Sequence, residues 1–574
     1  MKVKKYLASI LFILSIGFGV IISIDKYYHS PFQFVYWIFC GLLLIAFRVS
    51  KVYNAAIGNR QYFTFLLTAL ICIAGWLIVP HFWRFGVYPF AILCLLYSGI
   101  ILYDNGKRLI RVLFIAAFML SAVNIIPVLF YFSERSLITR PLIDALLASN
   151  PEESKEYIAD KFSIAQILLV VFFIGITIIM LIKRDKSKSA PKPNMALYIV
   201  FFVSFALTIF SGTIGAFSSE YAIYLKQRAL LKNMVEERKR GNYMNTFSVK
   251  GSDSSAKKVM IIVGESLNRR FMSLYGYPKN TTPNLLRLSS DSSKGKLYPF
   301  TNIISPETTT FIAIRKVLSN INNENNIPFD KSVTIVDLFK KAGYQSFWIS
   351  NQAPLGSYEA PISIIALNAD HVYFTAQKKH IVSNNVITGG YYDGELLDAF
   401  NNFESKADTR KQVFFIHLMG SHWNYPDRYP ASFNVFHDGN VNQSTYLNTI
   451  YYNDYIVSHL IQLAQQNKFD VVCYFSDHGE DMNYAHNSEN YTPDMSTIPF
   501  MVYLSNQYRA KHQDLDRNLK KNKDIKGMTD NFFQDIQLLS GFKSSMLNPA
   551  EAFVSDKYVF KKRSVVDNSI PFDK

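Results

Sequence analysis

Seven apolar runs crowd the first 217 of 574 residues, and a chain built this way has few folds open to it. They lie at 6–24, 32–47, 63–79, 87–103, 112–132, 164–182 and 196–217, and almost no charged residue interrupts them. A helix that crosses a bilayer needs about 20 such residues. The expected N-terminal fold is therefore an all-α transmembrane bundle of about seven helices. No small-residue cleavage site follows the first run, so it is expected to stay as an anchor and not to be removed as a leader.

Loop charges set the direction of threading. Lys2, Lys4 and Lys5 precede the first run; Arg48, Lys51 and Arg60 follow the second; Lys107, Arg108 and Arg111 follow the fourth. Lys183, Arg184, Lys186, Lys188 and Lys192 follow the sixth. The alternate loops carry only Lys26, then Arg84, then a segment whose bases are outnumbered by acids such as Glu152, Glu153 and Glu156. Basic loops face the cytoplasm, so an odd number of crossings from a cytoplasmic start puts everything after residue 217 outside. Much of the formal net charge of +16 sits in these loops, which argues against nucleic acid as a partner. The lack of ionisable groups inside the runs argues against a transporter or pump. The bundle reads as an anchor and a lipid-access surface.

Residues 220–243 read as a helix rich in lysine, arginine and tyrosine, either a solvated linker or an interfacial helix on the membrane surface. The implied organisation is a transmembrane domain at 1–217, a bridging helix and linker at 218–256, and an outer domain at 257–574.

From residue 257 onward short apolar strands alternate with helical stretches. VMIIVGES (259–266), SFWIS (346–350), QVFFIHLMG (412–420), VVCYFSDHGE (471–480) and STIPFMVYLS (496–505) read as strands, with helical periodicity at 333–342 and 447–466. Continuous apolar strands suit a sheet covered on both faces, so an α/β domain is expected. The four cysteines offer no disulfide in this half, where Cys473 stands alone.

The residues able to do chemistry fall at strand ends, where ligands bind in open α/β sheets. Glu265 ends the first strand; His417 lies late in FFIHLMG, with His422 five residues on; Asp477 and His478 end VVCYFS, with Glu480 and His486 after them. Carboxylates and imidazoles are zinc ligands, and four of these groups at three strand ends form a constellation. Read singly, His417 is also a plausible hydrogen-bonded core histidine, and His486 a surface one. Thr308, Thr309 and Thr310 precede the helical spacing of Phe311, Ile314 and Leu318. A threonine there can cap the helix, line an anion site or, beside a divalent metal, act as a nucleophile; residue type alone leaves all three open. There is no HExxH, no GxxxxGK[ST] phosphate loop and no sulfatase Cys/Ser-x-Pro-x-Arg motif.

Taken together, IIVGES, MSLYGYPKNTTPNL, ISPETTTFIAIRKVLS, WISNQ, HLMGSH and FSDHGED resemble, in order, the bacterial phosphoethanolamine transferases of the alkaline phosphatase and sulfatase superfamily. The SPxxxT and WISNQ forms, with no paired cysteines, are most similar to the branch that modifies the lipopolysaccharide core (CptA-like). The resemblance implies a C-terminal α/β alkaline-phosphatase-like (sulfatase) domain. It implies a primary metal site at Glu265, Thr310, Asp477 and His478, with Thr310 as nucleophile. His417, His422 and His486 are implied to hold a second metal or the substrate phosphate, Asn351 to bind the donor, and Glu480 to support the metal site. One or two zinc ions are the implied cofactor, ahead of manganese or magnesium. Phosphatidylethanolamine is the implied donor, lipopolysaccharide (core sugar or lipid A) the acceptor, and the bacterial inner membrane the location, multi-pass with the catalytic domain in the periplasm. The family typically has five spans where seven are read here, a departure that leaves the parity intact. The alternatives are a phosphoglycerol transferase of the lipoteichoic acid synthase type and, from another class, a membrane transporter or sensor whose outer domain only binds.

Overall fold

The computed structural model describes residues 242–574 apart from 326, 353–360, 376–391, 409, 438–439, 487 and 574, together with a helix at Met195–Ser211 and scattered positions before and after it. Backbone packing divides the chain into two compact units, Met1–Leu147 with Pro151–Leu225, and Ala148–Asn150 with Lys226–Lys574.

In the first unit only part of the seventh apolar run is described. Met195–Ser211 is a helix of 17 residues, about 25 Å long, and it presents apolar side chains outward: Ile199 is 54% and Val203 52% exposed. Among the described residues no helix is long and apolar enough to cross a membrane. The other six runs, and the helix expected at 220–243, lie outside the described residues except at scattered positions.

The second unit is built on a seven-stranded sheet. Its strands are β1 (Lys258–Gly264), β2 (Gly295–Phe300), β3 (Tyr344–Ser350), β4 (His371–Phe374), β5 (Lys411–His417), β6 (Val471–Ser476) and β7 (Phe500–Ser505), in the spatial order β2-β7-β6-β1-β5-β3-β4. Pairings among β6, β1, β5, β3 and β4 are parallel, and β7 alone runs against its neighbours. Side chains alternate across the pleat, and the two resulting faces bury separate cores. Val259, Ile261 and Val263 of β1 join Val413, Phe415 and Cys473 on one face; Met260 and Ile262 join Phe414, Ile416 and Tyr474 on the other. The first core is closed by α1 (Thr310–Val317), α2 (Ile335–Lys341) and α4 (Phe532–Ser540), the second by α3 (Val441–Gln466).

The five expected strands are all in this sheet, and two more of its strands were not expected. GKLYPF (β2) carries Pro299, which looks wrong for a strand but is tolerated at the sheet edge, where one side of the ladder is unpaired. HVYF (β4) is four residues long and partly exposed at the other edge. The helix expected at 447–466 begins earlier, at Val441, because Asn440 caps it by accepting from Asn442 N; its first turn, VNQS, has little apolar periodicity to reveal it.

Candidate metal and phosphoryl-transfer site

The parallel strands all end on one edge of the sheet, and the polar residues gather there. β1 and β6 are neighbours, Gly264 lying in register with Ser476, so Glu265 and Asp477 emerge side by side. Ser266 takes a left-handed conformation (φ 54°) directly after Glu265, uncommon for a non-glycine residue. That turn points its N–H at Asp477 Oδ1 (3.1 Å) and the next N–H, of Leu267, at Ser476 Oγ (2.9 Å). The two strand ends are thus laced together.

Asp477 Oδ1 also accepts from His478 N at 2.7 Å. Oδ2 is buried without a hydrogen-bond partner, 3.5 Å from His478 Nε2. The His478 ring donates from Nδ1 to the carbonyl oxygen of Gly479 at 2.8 Å, which leaves Nε2 facing Glu265 Oε1 at 3.3 Å. Thr310, the first residue of α1, closes the group: its Oγ1 lies 3.1 and 3.0 Å from the two Glu265 oxygens and 3.3 Å from His478 Nε2. Glu265, Asp477 and His478 are at most 1% exposed.

Charge in this cluster is strongly biased. Burial opposes ionisation of Glu265, but the hydrogen bond and charge of His478 outweigh it and hold the carboxyl well below its usual range. Burial and the Glu265 charge push Asp477 up to about 7. Burial works against protonating His478, yet the carboxylates Asp477 and Glu265 raise it to about 10. Two buried carboxylates and an imidazole that compete this way form a site that gathers positive charge. The ligand atoms of Glu265, Asp477 and His478 lie within 4.8 Å of one another, and the unpartnered Asp477 Oδ2 is the kind of buried atom that a cation would satisfy. Carboxylate, imidazole and hydroxyl donors converging this closely fit a divalent metal.

The remaining expected residues divide. His486 shares the site's edge: its Nδ1 is 2.9 Å from Glu480 Oε2, its ring centroid 4.9 Å from that of His478, and with Glu480 and His478 it forms a second potential metal-binding group. Glu480 is held in turn by the Tyr425 hydroxyl at 2.7 Å. His417 is fully buried in β5, with Nδ1 3.1 Å from Ser350 Oγ and Nε2 lacking a partner. Burial pushes both His417 and His422 down to about 4, against the pull of the Glu265 charge, which favours the neutral form of each ring. His422 lies past Gly420, whose φ of 54° brings the chain so close to Glu265 that a Cβ would sit 2.8 Å from its carbonyl oxygen.

Asn351 is not brought into the cluster. It is fully buried; its Nδ2 donates to Asp393 Oδ1 (2.8 Å) and its Oδ1 accepts from Thr375 (2.7 Å). Asp393 also accepts from the backbone of Met419 and Gly420, so Asn351 braces the loop that carries His422. The residue that reaches the cluster is its neighbour Gln352, whose Nε2 donates to Glu265 Oε2 at 3.0 Å and to Leu418 O at 3.1 Å. The WISNQ segment contained the signal, since either amide could have served.

Known proteins agree with this architecture. The profile of the family described as Sulfatase matches residues 257–536. Phosphoethanolamine transferase EptC of Escherichia coli K12 is 24% identical over 587 aligned positions, covering 89% of this chain and 94% of the relative. The C-terminal periplasmic domain of the E. coli EptC, solved in complex with Zn, superposes with a TM-score of 0.50 at 24% identity, over 56% of this chain and 96% of that one. The integral membrane protein lipooligosaccharide phosphoethanolamine transferase A from Neisseria meningitidis reaches a TM-score of 0.56 at 17% identity, over 90% of this chain and 97% of its own.

Proposed function

The chain belongs to the bacterial phosphoethanolamine transferases of the alkaline phosphatase and sulfatase superfamily, and from that premise we propose that Thr310 carries the phosphoethanolamine group between a phosphatidylethanolamine donor and a lipopolysaccharide acceptor. The supporting observation is the Thr310 hydroxyl, which opens α1 and lies 3.0 to 3.3 Å from Glu265 and His478.

In the first step Thr310 Oγ loses its proton and attacks the donor phosphorus. The Thr310 O–P bond forms, the P–O bond to diacylglycerol breaks, and the departing oxygen takes up a proton. In the second step a hydroxyl or phosphate oxygen of the acceptor attacks the same phosphorus, the Thr310 O–P bond breaks, and Thr310 regains a proton. Glu265 and His478 orient the hydroxyl, and the N–H groups of the first turn of α1 favour the phosphoryl oxygens. Glu265, Thr310, Asp477 and His478 would hold a zinc ion, which when bound would supply positive charge to ease ionisation of the hydroxyl and offset charge on phosphoryl oxygens. The neutral imidazoles of His417 and His422 are suited to accept a proton from the acceptor, and His486 with Glu480 to contact the phosphate or a second cation.

The wider reading is of an inner-membrane enzyme: a multi-pass segment at 1–217, a bridging segment at 218–256 and a catalytic domain at 257–574 facing the periplasm. A donor that is itself a lipid gives the membrane segment its purpose. The deciding experiment incubates the purified full chain with headgroup-labelled phosphatidylethanolamine or phosphatidylglycerol. Diacylglycerol release from the former, with a phosphoethanolamine adduct on the protein, is expected. Release only from phosphatidylglycerol moves the assignment to phosphoglycerol transfer, and the absence of any adduct supports a domain that only binds. Mass spectrometry of lipopolysaccharide from cells with and without the active chain identifies the acceptor.

A further inference from the structure

The turn that delivers Thr310 is gripped from outside by the C-terminal end of the chain. Residues 305–309 run from the sheet edge to α1. At the start of the turn the Ser305 hydroxyl donates to the carbonyl oxygen of Asp477 and Ser305 N donates to Ser496 O. In its middle Glu307 is 3% exposed and pairs with Lys316 of α1, itself 8% exposed. Lys316 Nζ also donates to Asn323 Oδ1 at 2.7 Å. Two buried charges spanning the turn and the second helical turn of α1 hold one against the other.

The C-terminal hairpin, Ser564–Val565 paired with Ile570–Pro571, completes the arrangement. Val566 N donates to Pro306 O at 3.0 Å, and Asp567 N donates to Glu307 Oε1 at 2.9 Å. Asn323 Nδ2 donates to Ser564 O and Asn568 Nδ2 to Asn323 O, and Val565 packs on Ile304. To aim these N–H groups, Val566, Asp567 and Asn568 take φ of 53°, 53° and 61° in succession. None is glycine, and for Val566 a left-handed conformation is a true outlier. Such strain persists only where the surroundings over-determine it. The three left-handed residues at the hairpin tip serve contacts to Pro306, Glu307 and Asn323 in turn.

We propose that the C-terminal hairpin is a positioning element for catalysis: through Asp567 N–H and the Glu307–Lys316 pair it fixes the 305–309 turn, and so places Thr310 Oγ for attack. The idea rests on Thr310 as nucleophile, and it assigns no chemistry to the hairpin itself. Misplacing a reacting oxygen by about 1 Å costs about a hundredfold in rate, so a clamp several residues away has leverage on kcat without touching the donor.

The test uses the full-length protein in detergent and compares Asp567→Pro with Asp567→Gly. Proline has no N–H and cannot take a φ of 53°; glycine keeps the N–H and accepts that φ freely. Asp567→Pro is expected to lower kcat and the rate of adduct formation by about ten- to a hundredfold, with donor KM within about threefold and unchanged melting; Asp567→Gly, which loses only the exposed carboxylate 3.8 Å from Lys316 Nζ, stays within about threefold of wild type. Where Asp567→Pro does not fold, Glu307→Gln, which keeps an acceptor oxygen but loses the charge, carries the same expectation, and further loss of the pair partner in Lys316→Met should add little to it. A folded Asp567→Pro with wild-type adduct kinetics overturns the proposal. So does an equal loss in Asp567→Gly, a change confined to KM, or a loss that vanishes on cooling below the melting transition. Mapping the adduct in the wild-type protein tests the Thr310 assignment by itself, with no hairpin variant involved.

Discussion

His478 Nδ1 lies 2.8 Å from the carbonyl oxygen of Gly479, and this one contact decides which face of the imidazole meets Thr310. With Nδ1–H given to the backbone, Nε2 is the nitrogen that points into the cluster, 3.3 Å from Thr310 Oγ1. A backbone acceptor on one ring nitrogen holds the orientation of the imidazole and so the aim of the other. Gly479 itself packs against Asp494, where an added Cβ would lie 2.2 Å from the carbonyl oxygen.

Asp477 has two separable duties, and a well-chosen substitution distinguishes them. Oδ1 accepts from Ser266 N and His478 N, while Oδ2 faces the cluster. Alanine removes both and leaves two buried N–H groups unpaired, at about 1–3 kcal/mol each. Asparagine keeps the first oxygen and loses the charge. Asp477→Asn is expected to melt near the wild-type temperature while zinc affinity of the isolated 242–574 domain falls at least about tenfold. Wild-type zinc retention in a dialysed sample would remove Asp477 from the site.

Threading is open to a labelling experiment. The bases at 183–192 predict a cytoplasmic loop, and an odd number of crossings puts the C-terminus outside. A membrane-impermeant maleimide added to intact cells should reach a cysteine appended after Lys574 and spare Ser187→Cys. Cys473 does not confuse the result, since it is fully buried. The reverse labelling pattern places the catalytic domain in the cytoplasm and ends the periplasmic reading.

The C-terminal hairpin should loosen in acid through one carboxylate. Burial works against ionisation of Asp573, but hydrogen bonds from Arg563 hold it at about 2: the guanidinium Nε and Nη2 each lie 3.0 Å from a carboxylate oxygen. An unfolded aspartate titrates near 3.9. A folded value below the unfolded one means that the contact's stabilisation is complete above about pH 4 and is lost as pH falls toward 2. Exchange of the Phe572 amide, which donates to Arg563 O, should therefore quicken relative to the core between pH 4 and 2. In Asp573→Asn that pH dependence should be absent; an unchanged profile would assign the acid response to another group.

Much of this site was legible because strand ends are where sequence pattern and chemistry coincide. A run such as VVCYFS announces a buried parallel strand, and the polar tetrapeptide Asp477-His478-Gly479-Glu480 directly after it has to sit at the sheet's carboxyl edge. Glu265 was readable in the same way. What the pattern could not carry was side-chain partnership across distant segments. Asn351 and Gln352 are adjacent amides; only the pairing of Asn351 with Asp393 and Thr375 shows that Gln352 is the one left to meet Glu265. The hairpin after Ser564 lay hidden for the same reason, since its contacts to Pro306 and Glu307 span more than 250 residues. The edge strands β2 and β4 escaped because partial exposure and Pro299 blur their periodicity.

Three consecutive threonines offer a hydroxyl near the start of α1, and geometry separates their roles. Thr308 is buried, at 2% exposure. Thr309 stands at the cap position, with extended backbone, but its side chain makes no capping hydrogen bond. The usual cap contribution of about 1 kcal/mol is therefore not expected from it, and Thr309→Ala should cost a few tenths at most and keep substantial transfer activity. Thr310 alone has its hydroxyl on Glu265 and His478. Thr310→Ala should lower transfer by about three orders of magnitude or more, the scale of losing a covalent nucleophile, and leave no phosphoethanolamine adduct, because no neighbouring hydroxyl shares that geometry. Thr310→Ser keeps the oxygen but loses the methyl group that restricts its rotamer, so partial activity with an adduct at the same position is expected. Peptide mass spectrometry after incubation with phosphatidylethanolamine decides among the three: an adduct on Thr308 or Thr309 in the wild-type protein would mean that the hydroxyl nearest Glu265 is not the one that attacks.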